Sequence, residues 1–252
     1  MPVRGTLVDI PTADGTADAY LAHPDDGRAH PAVILYTDAF GLRPHLERMA
    51  DRLAEAGYTV LVPNAFYRSG RAPVVELPEL VDLEQDSGLF ARIGPLLATL
   101  TPEATTRDAD AYLRWLADSP LVQDGPVGLT GYCRGALLAL RTAASHPDRI
   151  AVAAGFHGGS LATDTPDSPH LGAERITAEL YFGHADQDPA LPPEQIDRLA
   201  AALTAAGVRY RAEVYAGAPH GYTQADTTRY DAAADERHWA ALLGVLRQAL
   251  PV

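Results

Sequence analysis

The sequence contains no lysine, and all 20 of its basic side chains are arginines. This absence excludes a Schiff-base lysine, a lysine that anchors pyridoxal phosphate and the lysine of a phosphate-binding loop. There is a single cysteine, Cys133, so an intrachain disulfide and any zinc or iron–sulfur site with several cysteines are excluded as well. The formal net charge of −13 argues against nucleic acid or an anionic membrane as a partner, because both require a basic surface.

Long apolar runs are also missing. No window approaches the roughly 18 consecutive apolar residues of a transmembrane helix, and the first residues carry Arg4 and Asp9 where a signal peptide would be apolar. These features predict a cytoplasmic protein that binds neither nucleic acid nor membrane. The length of 252 residues, without a linker or an internal repeat, predicts a single domain over residues 1–252. Monomer and homodimer both remain open.

Apolar strands and amphipathic helices alternate along most of the chain. The predicted strands are a hairpin at 3–10 and 16–22, then 31–37, 58–62, 127–130, 150–156, 178–182 and 210–215. The predicted helices are one that ends near Gly57, then 102–116, 136–144, 193–206 and 231–250. This alternation predicts an α/β fold with a mostly parallel central sheet and helices on both faces. The irregular stretch 64–95 is predicted to be a lid or insertion over the sheet edge.

The motif Gly131-Tyr132-Cys133-Arg134-Gly135 lies directly between a predicted strand and a predicted helix. In the α/β-hydrolase fold the nucleophile occupies such a strand-to-helix turn, and flanking glycines avoid collisions with the neighbouring backbone. The turn also directs the backbone N–H of Arg134 toward a developing oxyanion. We therefore predict that Cys133 is a nucleophile, while a lone cysteine of this kind could instead be a buried, inert side chain.

A nucleophile of this type needs a base and an orienting acid at the ends of later strands. His220 follows the last predicted strand in a loop with glycines nearby, and Asp186 and Asp188 follow the strand before it. We predict that His220 is the base. Both aspartates are candidates for the acid.

The sequence resembles the dienelactone hydrolase family, cysteine-dependent members of the α/β-hydrolase fold, from about residue 31 to residue 250. The similarity rests on four blocks: DAFGLRP (38–44), GYCRGA (131–136), DPALPPEQ (188–195) and APHGY (218–222). It implies an ester or lactone hydrolase with no cofactor and no metal. The implied roles are Cys133 as nucleophile, His220 as base and acid, and Asp188 as the orienting carboxylate, favoured over Asp186 by its spacing to Pro192. By analogy, Ala39 supplies a second backbone N–H to the oxyanion.

Two positions depart from the family pattern. Family members characteristically carry a glutamate after the first central strand that is thought to help ionise the thiol, and here the residue is Asp38. That carboxylate could accept the thiol proton or only hydrogen-bond the turn. Gln224 stands where a substrate-clamping arginine is expected, four residues after His220. The resemblance therefore leaves open whether the small-molecule substrate is an anion.

Several other residues are candidates for the substrate pocket. Tyr222 is a candidate for substrate binding or thiol activation, and residues 64–95 are expected to shape the pocket. Within that stretch Tyr67, Arg68 and Arg71 could face the substrate or lie on the surface.

Two other classes of function remain. The first is a metal-dependent hydrolase that uses the oxygen and imidazole ligands His157, His184, Asp186, Asp188 and His220. The second is a non-catalytic binder on the same fold, with Cys133 as a redox sensor.

Overall fold

The computed structural model describes residues 1–86 and 88–252, and the strands of this part form one eight-stranded sheet. The strands are β1 Val3–Thr12, β2 Gly15–Pro24, β3 Ala32–Tyr36, β4 Thr59–Pro63, β5 Val127–Tyr132, β6 Ile150–Phe156, β7 Glu179–Ala185 and β8 Tyr210–Tyr215. The helices are α1 Pro44–Glu55, α2 Leu89–Ala98, α3 Pro102–Ala117, α4 Arg134–Ser145, α5 Pro193–Ala205 and α6 Ala232–Ala249. Short 3₁₀ turns occur at Tyr67–Ser69, Pro147–Arg149 and Pro169–Arg175.

The spatial order of the sheet is β1-β2-β4-β3-β5-β6-β7-β8. The hairpin strands β1 and β2 run antiparallel, β2 pairs antiparallel with β4, and the remaining neighbours are parallel. The predicted α/β fold with a mostly parallel sheet is therefore confirmed. Because parallel strands place their carboxyl ends along one edge, the loops that follow β3, β5, β6, β7 and β8 meet there.

The central strand β3 shows why the sheet is covered on both faces. Val33 and Leu35 belong to the apolar core beneath α1 and α6, whereas Ile34 and Tyr36 belong to the core beneath α3, α4 and α5. Successive strand side chains point to opposite faces, so a fully apolar strand is stable only where helices bury both of them. None of the described helices is long and apolar enough to cross a membrane.

Helix α2 was not predicted. Its sequence contains Gly94 and Pro95, two residues that disfavour a helix interior. Burial of Leu89 and Ile93, both 0% exposed, supplies the stabilisation that local propensity does not. The helix begins inside the stretch that was predicted to be an irregular lid, in which Ser87 lies outside the described residues.

Candidate active site

Cys133 lies between β5 and α4 in a conformation that is unusual for a residue with a side chain. Its backbone has φ 51° and ψ −113°, and its N–H donates to the Phe156 carbonyl at 3.1 Å. A Cβ on Gly131 would lie 2.1 Å from the Gly135 carbonyl oxygen, and a Cβ on Gly135 would lie 2.2 Å from the Tyr36 oxygen. Both glycines are therefore required for the tight packing of the turn that carries the thiol.

Three predicted site residues meet above the carboxyl ends of the strands. The Sγ atom of Cys133 lies 3.1 Å from Nε2 of His220, and Nδ1 of His220 lies 2.6 Å from Oδ2 of Asp188. Asp188 is buried, whereas the His220 side chain keeps 28% of its surface exposed. A thiol, an imidazole and a buried carboxylate are thus linked in one hydrogen-bonded chain.

The two candidate carboxylates have different partners. Asp188 reaches His220, and its Oδ1 also accepts the N–H of Ala190 at 2.8 Å. Asp186 accepts the N–H of Gly217 at 2.8 Å, in the turn that follows β8. The structure therefore brings Asp188 to the imidazole of His220, whereas Asp186 links the loop after β7 to the turn after β8.

The environment of His220 favours its charged form. Burial opposes that charge, but Cys133 and Asp188 raise the pKa of His220 from 6.5 to about 10. The thiol also precedes the first turn of α4, where the positive end of the helix dipole stabilises negative charge. The site thus favours an imidazolium at His220, next to the sulfur of Cys133.

The two predicted oxyanion donors, the backbone N–H groups of Arg134 and Ala39, belong to residues near Cys133. Arg134 is the first residue of α4, so its N–H belongs to the helical turn that has no carbonyl partner within the helix. Ala39 lies in the loop after β3 and belongs to the same apolar cluster that Cys133 contacts. Arg134 thus begins the helix that follows the thiol, and Ala39 lies in a loop whose apolar cluster contacts Cys133.

The Asp38 carboxylate is fully engaged by other groups. It accepts from Arg43 Nη1 at 2.8 Å and from Arg43 Nη2 at 2.9 Å. It also accepts the N–H of Phe40 at 2.9 Å and the amide of Gln224 at 2.7 Å. A carboxylate offers about four acceptor positions, so these four bonds use its capacity. Asp38 was predicted either to accept the thiol proton or only to hydrogen-bond the turn, and this geometry matches the second role.

The family assignment rests on the whole chain. Residues 17–250 match the dienelactone hydrolase family. The chain belongs to this family. A Synechocystis sp. protein provisionally named as a carboxymethylenebutenolidase is 27% identical over 241 residues, which cover 94% of each chain. A Bradyrhizobium sp. protein provisionally named as a 2-oxo-3-(5-oxofuran-2-ylidene)propanoate lactonase is 29% identical over 247 residues, or 95% of this chain and 92% of that protein.

The fold is shared with solved structures of the same family. The crystal structure of a Klebsiella pneumoniae protein provisionally assigned as a dienelactone hydrolase has a TM-score of 0.85 at 21% identity, and the match covers 98% of this chain and 100% of that one. The family resemblance and the α/β-hydrolase fold that it implies are both confirmed.

Tyr222 lies beneath the site. It is 0% exposed, its hydroxyl donates to the Gly183 carbonyl at 2.9 Å, and its ring packs edge-on against His157. In this position it supports the loop that carries His220 and offers no exposed surface to a substrate.

The other pocket candidates lie away from Cys133. Tyr67 and Arg68 bind Asp108 of α3 at 2.8 Å, and Arg71 pairs with Asp9 of β1. These side chains attach the start of the lid stretch to the hairpin and to α3. Arg71 is exposed, as the surface alternative predicts, whereas Tyr67 is buried.

His157 is a site neighbour that the sequence indicated only as part of the metal alternative. It follows β6 with φ 37°, its ring lies 5.4 Å from the ring of His220, and its Nε2 lies 2.8 Å from the Thr223 hydroxyl. Burial holds the pKa of His157 well below its ordinary value. A neutral imidazole therefore packs against His220. Within residues 1–86 and 88–252, no group of three or more His, Cys, Asp or Glu side chains is arranged to hold a metal ion.

Proposed function

We propose that this protein hydrolyses carboxylic esters or lactones through an acyl-thioester on Cys133. The hydrogen-bonded chain from Cys133 through His220 to Asp188 carries this proposal, because it joins a nucleophile, a base and an orienting carboxylate at a strained turn. The lactone-cleaving activity in the name of the Bradyrhizobium sp. relative supports the substrate class. The proposed reaction uses no cofactor.

The first half of the reaction transfers the acyl group to sulfur. The Cys133 thiolate attacks the carbonyl carbon, and the backbone N–H groups of Arg134 and Ala39 stabilise the oxyanion of the tetrahedral intermediate. As this intermediate collapses, the carbon–oxygen bond to the leaving group breaks. His220 donates its proton to the departing oxygen, and Asp188 holds the imidazole in the required orientation.

The second half releases the acid. Neutral His220 takes a proton from a water molecule, the resulting hydroxide attacks the thioester carbonyl, and the carbon–sulfur bond breaks to return the thiolate. Asp38 contributes by position: its bonds to Arg43, Phe40 and Gln224 hold the loop that presents Ala39.

The test compares the parent protein with Cys133→Ala and Cys133→Ser on aryl esters and small lactones. Because the nucleophile is removed, we expect Cys133→Ala to lose at least about 10⁴-fold in kcat, with circular dichroism and melting temperature retained. Mass spectrometry of the parent protein after rapid acid quenching should show one acyl adduct, which is absent from Cys133→Ala.

Two controls separate the alternatives. A chelator should leave turnover unchanged, whereas alkylation of Cys133 should abolish it, and the opposite pattern would indicate a metal-dependent hydrolase. Full activity in Cys133→Ala contradicts the proposal. A reactive thiol without any esterase activity would favour the redox-sensing binder.

A further inference from the structure

The side chains that surround the thiol form a third apolar cluster, separate from the two cores that flank the sheet. Two members come from the loop after β3 and the rest from the lid segment, which we define as residues 73–86 and 88–98. The buried members of this apolar cluster are Ala39, Phe40, Val75, Val81, Leu89 and Ile93. Leu77, Leu83, Leu96, Leu97 and Cys133 pack against it from partly exposed positions. The nucleophile thus faces hydrocarbon on its lid side.

Backbone hydrogen bonds hold the lid segment over the site. The Val81 N–H donates to the Asp226 carbonyl at 2.8 Å, and the Thr228 N–H donates to the Val81 carbonyl at 3.0 Å. Asp226 and Thr228 belong to the loop that also carries His220. The lid segment is therefore tied to the loop that carries the imidazole.

Three of the arginines near this cluster are paired with carboxylates. Arg43 is shared between Asp38 and Asp226, with contacts of 2.8 and 2.6 Å. In the lid segment Arg92 pairs with Asp86 at 2.7 Å, and Arg229 from the His220 loop pairs with Glu84. The amide of Gln224 is bonded to Asp38.

Arg134 needs separate consideration because it follows the nucleophile directly. Its positive charge contributes to lowering the pKa of Arg141, together with burial, which is the larger cause. Arg141 lies two turns further along α4. The backbone N–H of Arg134 belongs to the turn that holds the thiol.

We infer that the acyl pocket of this protein accepts neutral, apolar acyl groups and discriminates against acyl groups that carry a carboxylate. This inference rests on the proposed acyl transfer to Cys133. An unpaired carboxylate that enters an apolar cluster loses its hydration without gaining a cation, whereas each added methylene gains about two- to fourfold in binding if it is buried.

The first experiment measures kcat/KM for p-nitrophenyl esters at 0.5 M NaCl, where the long-range field of the net −13 chain is screened. We expect a rise of at least about tenfold from acetate to hexanoate. The mono-p-nitrophenyl ester of succinic acid should be at least about tenfold poorer than the pentanoate ester, which has a similar length but no charge.

The second experiment places a cation in the cluster. Leu77 packs against it, whereas Leu80 in the same segment is 57% exposed and outside it. Leu77→Arg should raise the ratio of succinate to pentanoate turnover by about tenfold or more, because an opposite charge within a few ångströms offsets the lost hydration. Leu80→Arg adds the same charge and should change that ratio less than twofold.

The outcomes separate this inference from the proposed function. A preference of the parent protein for the succinate ester, a flat chain-length profile, or equal effects of the two arginine variants would overturn the pocket inference while turnover through Cys133 stands. Turnover that survives in Cys133→Ala would overturn the proposed function, and the pocket inference with it.

Discussion

Replacing Asp188 by asparagine should remove most of the activity, whereas the same replacement at Asp186, two residues earlier, should remove little. Asp188 is buried and lies 2.6 Å from Nδ1 of His220. An asparagine there presents either a neutral oxygen or an N–H₂ group to the imidazole, and the second choice favours the wrong tautomer. Losses of about 10⁴-fold in kcat are typical when the orienting carboxylate of a triad is changed in this way.

The structure also indicates how the pKa of His220 should respond. Asp188 is one of the groups that raise this pKa to about 10, against the opposing effect of burial. Without its charge the imidazole should titrate closer to its ordinary value of 6.5. NMR titration of the His220 ring in the parent and Asp188→Asn proteins measures this shift independently of turnover.

Asp186→Asn is the matched control. The carboxylate of Asp186 accepts one hydrogen bond, from the Gly217 N–H at 2.8 Å, and an amide oxygen can accept the same bond. We expect kcat/KM to stay within about fivefold of the parent value, since the lost charge assistance is worth only about 1 kcal/mol. If Asp188→Asn retained activity within tenfold of the parent, or if Asp186→Asn were the more damaging change, the assignment of the acid would be wrong.

Three further predictions concern the glycines of the turn that carries Cys133, the buried Arg43 and the pH dependence of stability. Gly135→Ala should destabilise the protein by about 1–3 kcal/mol or more through collision with backbone, whereas Gly244→Ala in α6, which has open space around it, should stabilise it by about 0.5–1 kcal/mol; urea unfolding measures both. In the same assay Arg43→Ala should cost about 3–5 kcal/mol because it leaves buried carboxylates unpaired, and Arg114→Ala, at an exposed pair, less than about 1 kcal/mol. Because the pKa of His220 is raised in the folded protein, the charged imidazole stabilises the fold fully below about pH 6.5, and this contribution is lost as the pH rises through about 10. The difference in unfolding free energy between the parent and His220→Gln should therefore shrink over that range. A difference that grows with pH would contradict this reasoning.

Local sequence patterns were sufficient for most of the architecture. The predicted strands 150–156 and 210–215 match β6 and β8 at both ends, because short apolar runs bounded by turn residues have few alternatives in an α/β chain. The strand-to-helix turn at Cys133 could also be predicted from local sequence, since the two glycines of the motif lie where a side chain would collide with the backbone. Helix α2 was missed because its stability comes from packing of Leu89 and Ile93 against the loop after β3 and not from the helix propensity of its sequence.

The candidate site could be predicted only in part. The sequence placed Cys133 and His220 at strand ends but left two aspartates open, and the conformation of the loop after β7 turns one toward His220 and the other toward Gly217. The buried role of Arg43 had no local signal, because its partner Asp226 lies 183 positions away. The same holds for Gln224, which lies 186 positions from the carboxylate that it binds.

The sequence by itself determined the α/β fold, the family and the identity of the one possible thiol nucleophile, because periodicity, glycine placement and composition act through neighbouring residues. Only the tertiary structure decided which carboxylate meets His220, that Asp38 is fully hydrogen-bonded by Arg43, Phe40 and Gln224, and that the lid segment faces the thiol with hydrocarbon. These features depend on contacts between loops that are distant along the chain, and such contacts form only once the sheet has brought the strand ends together.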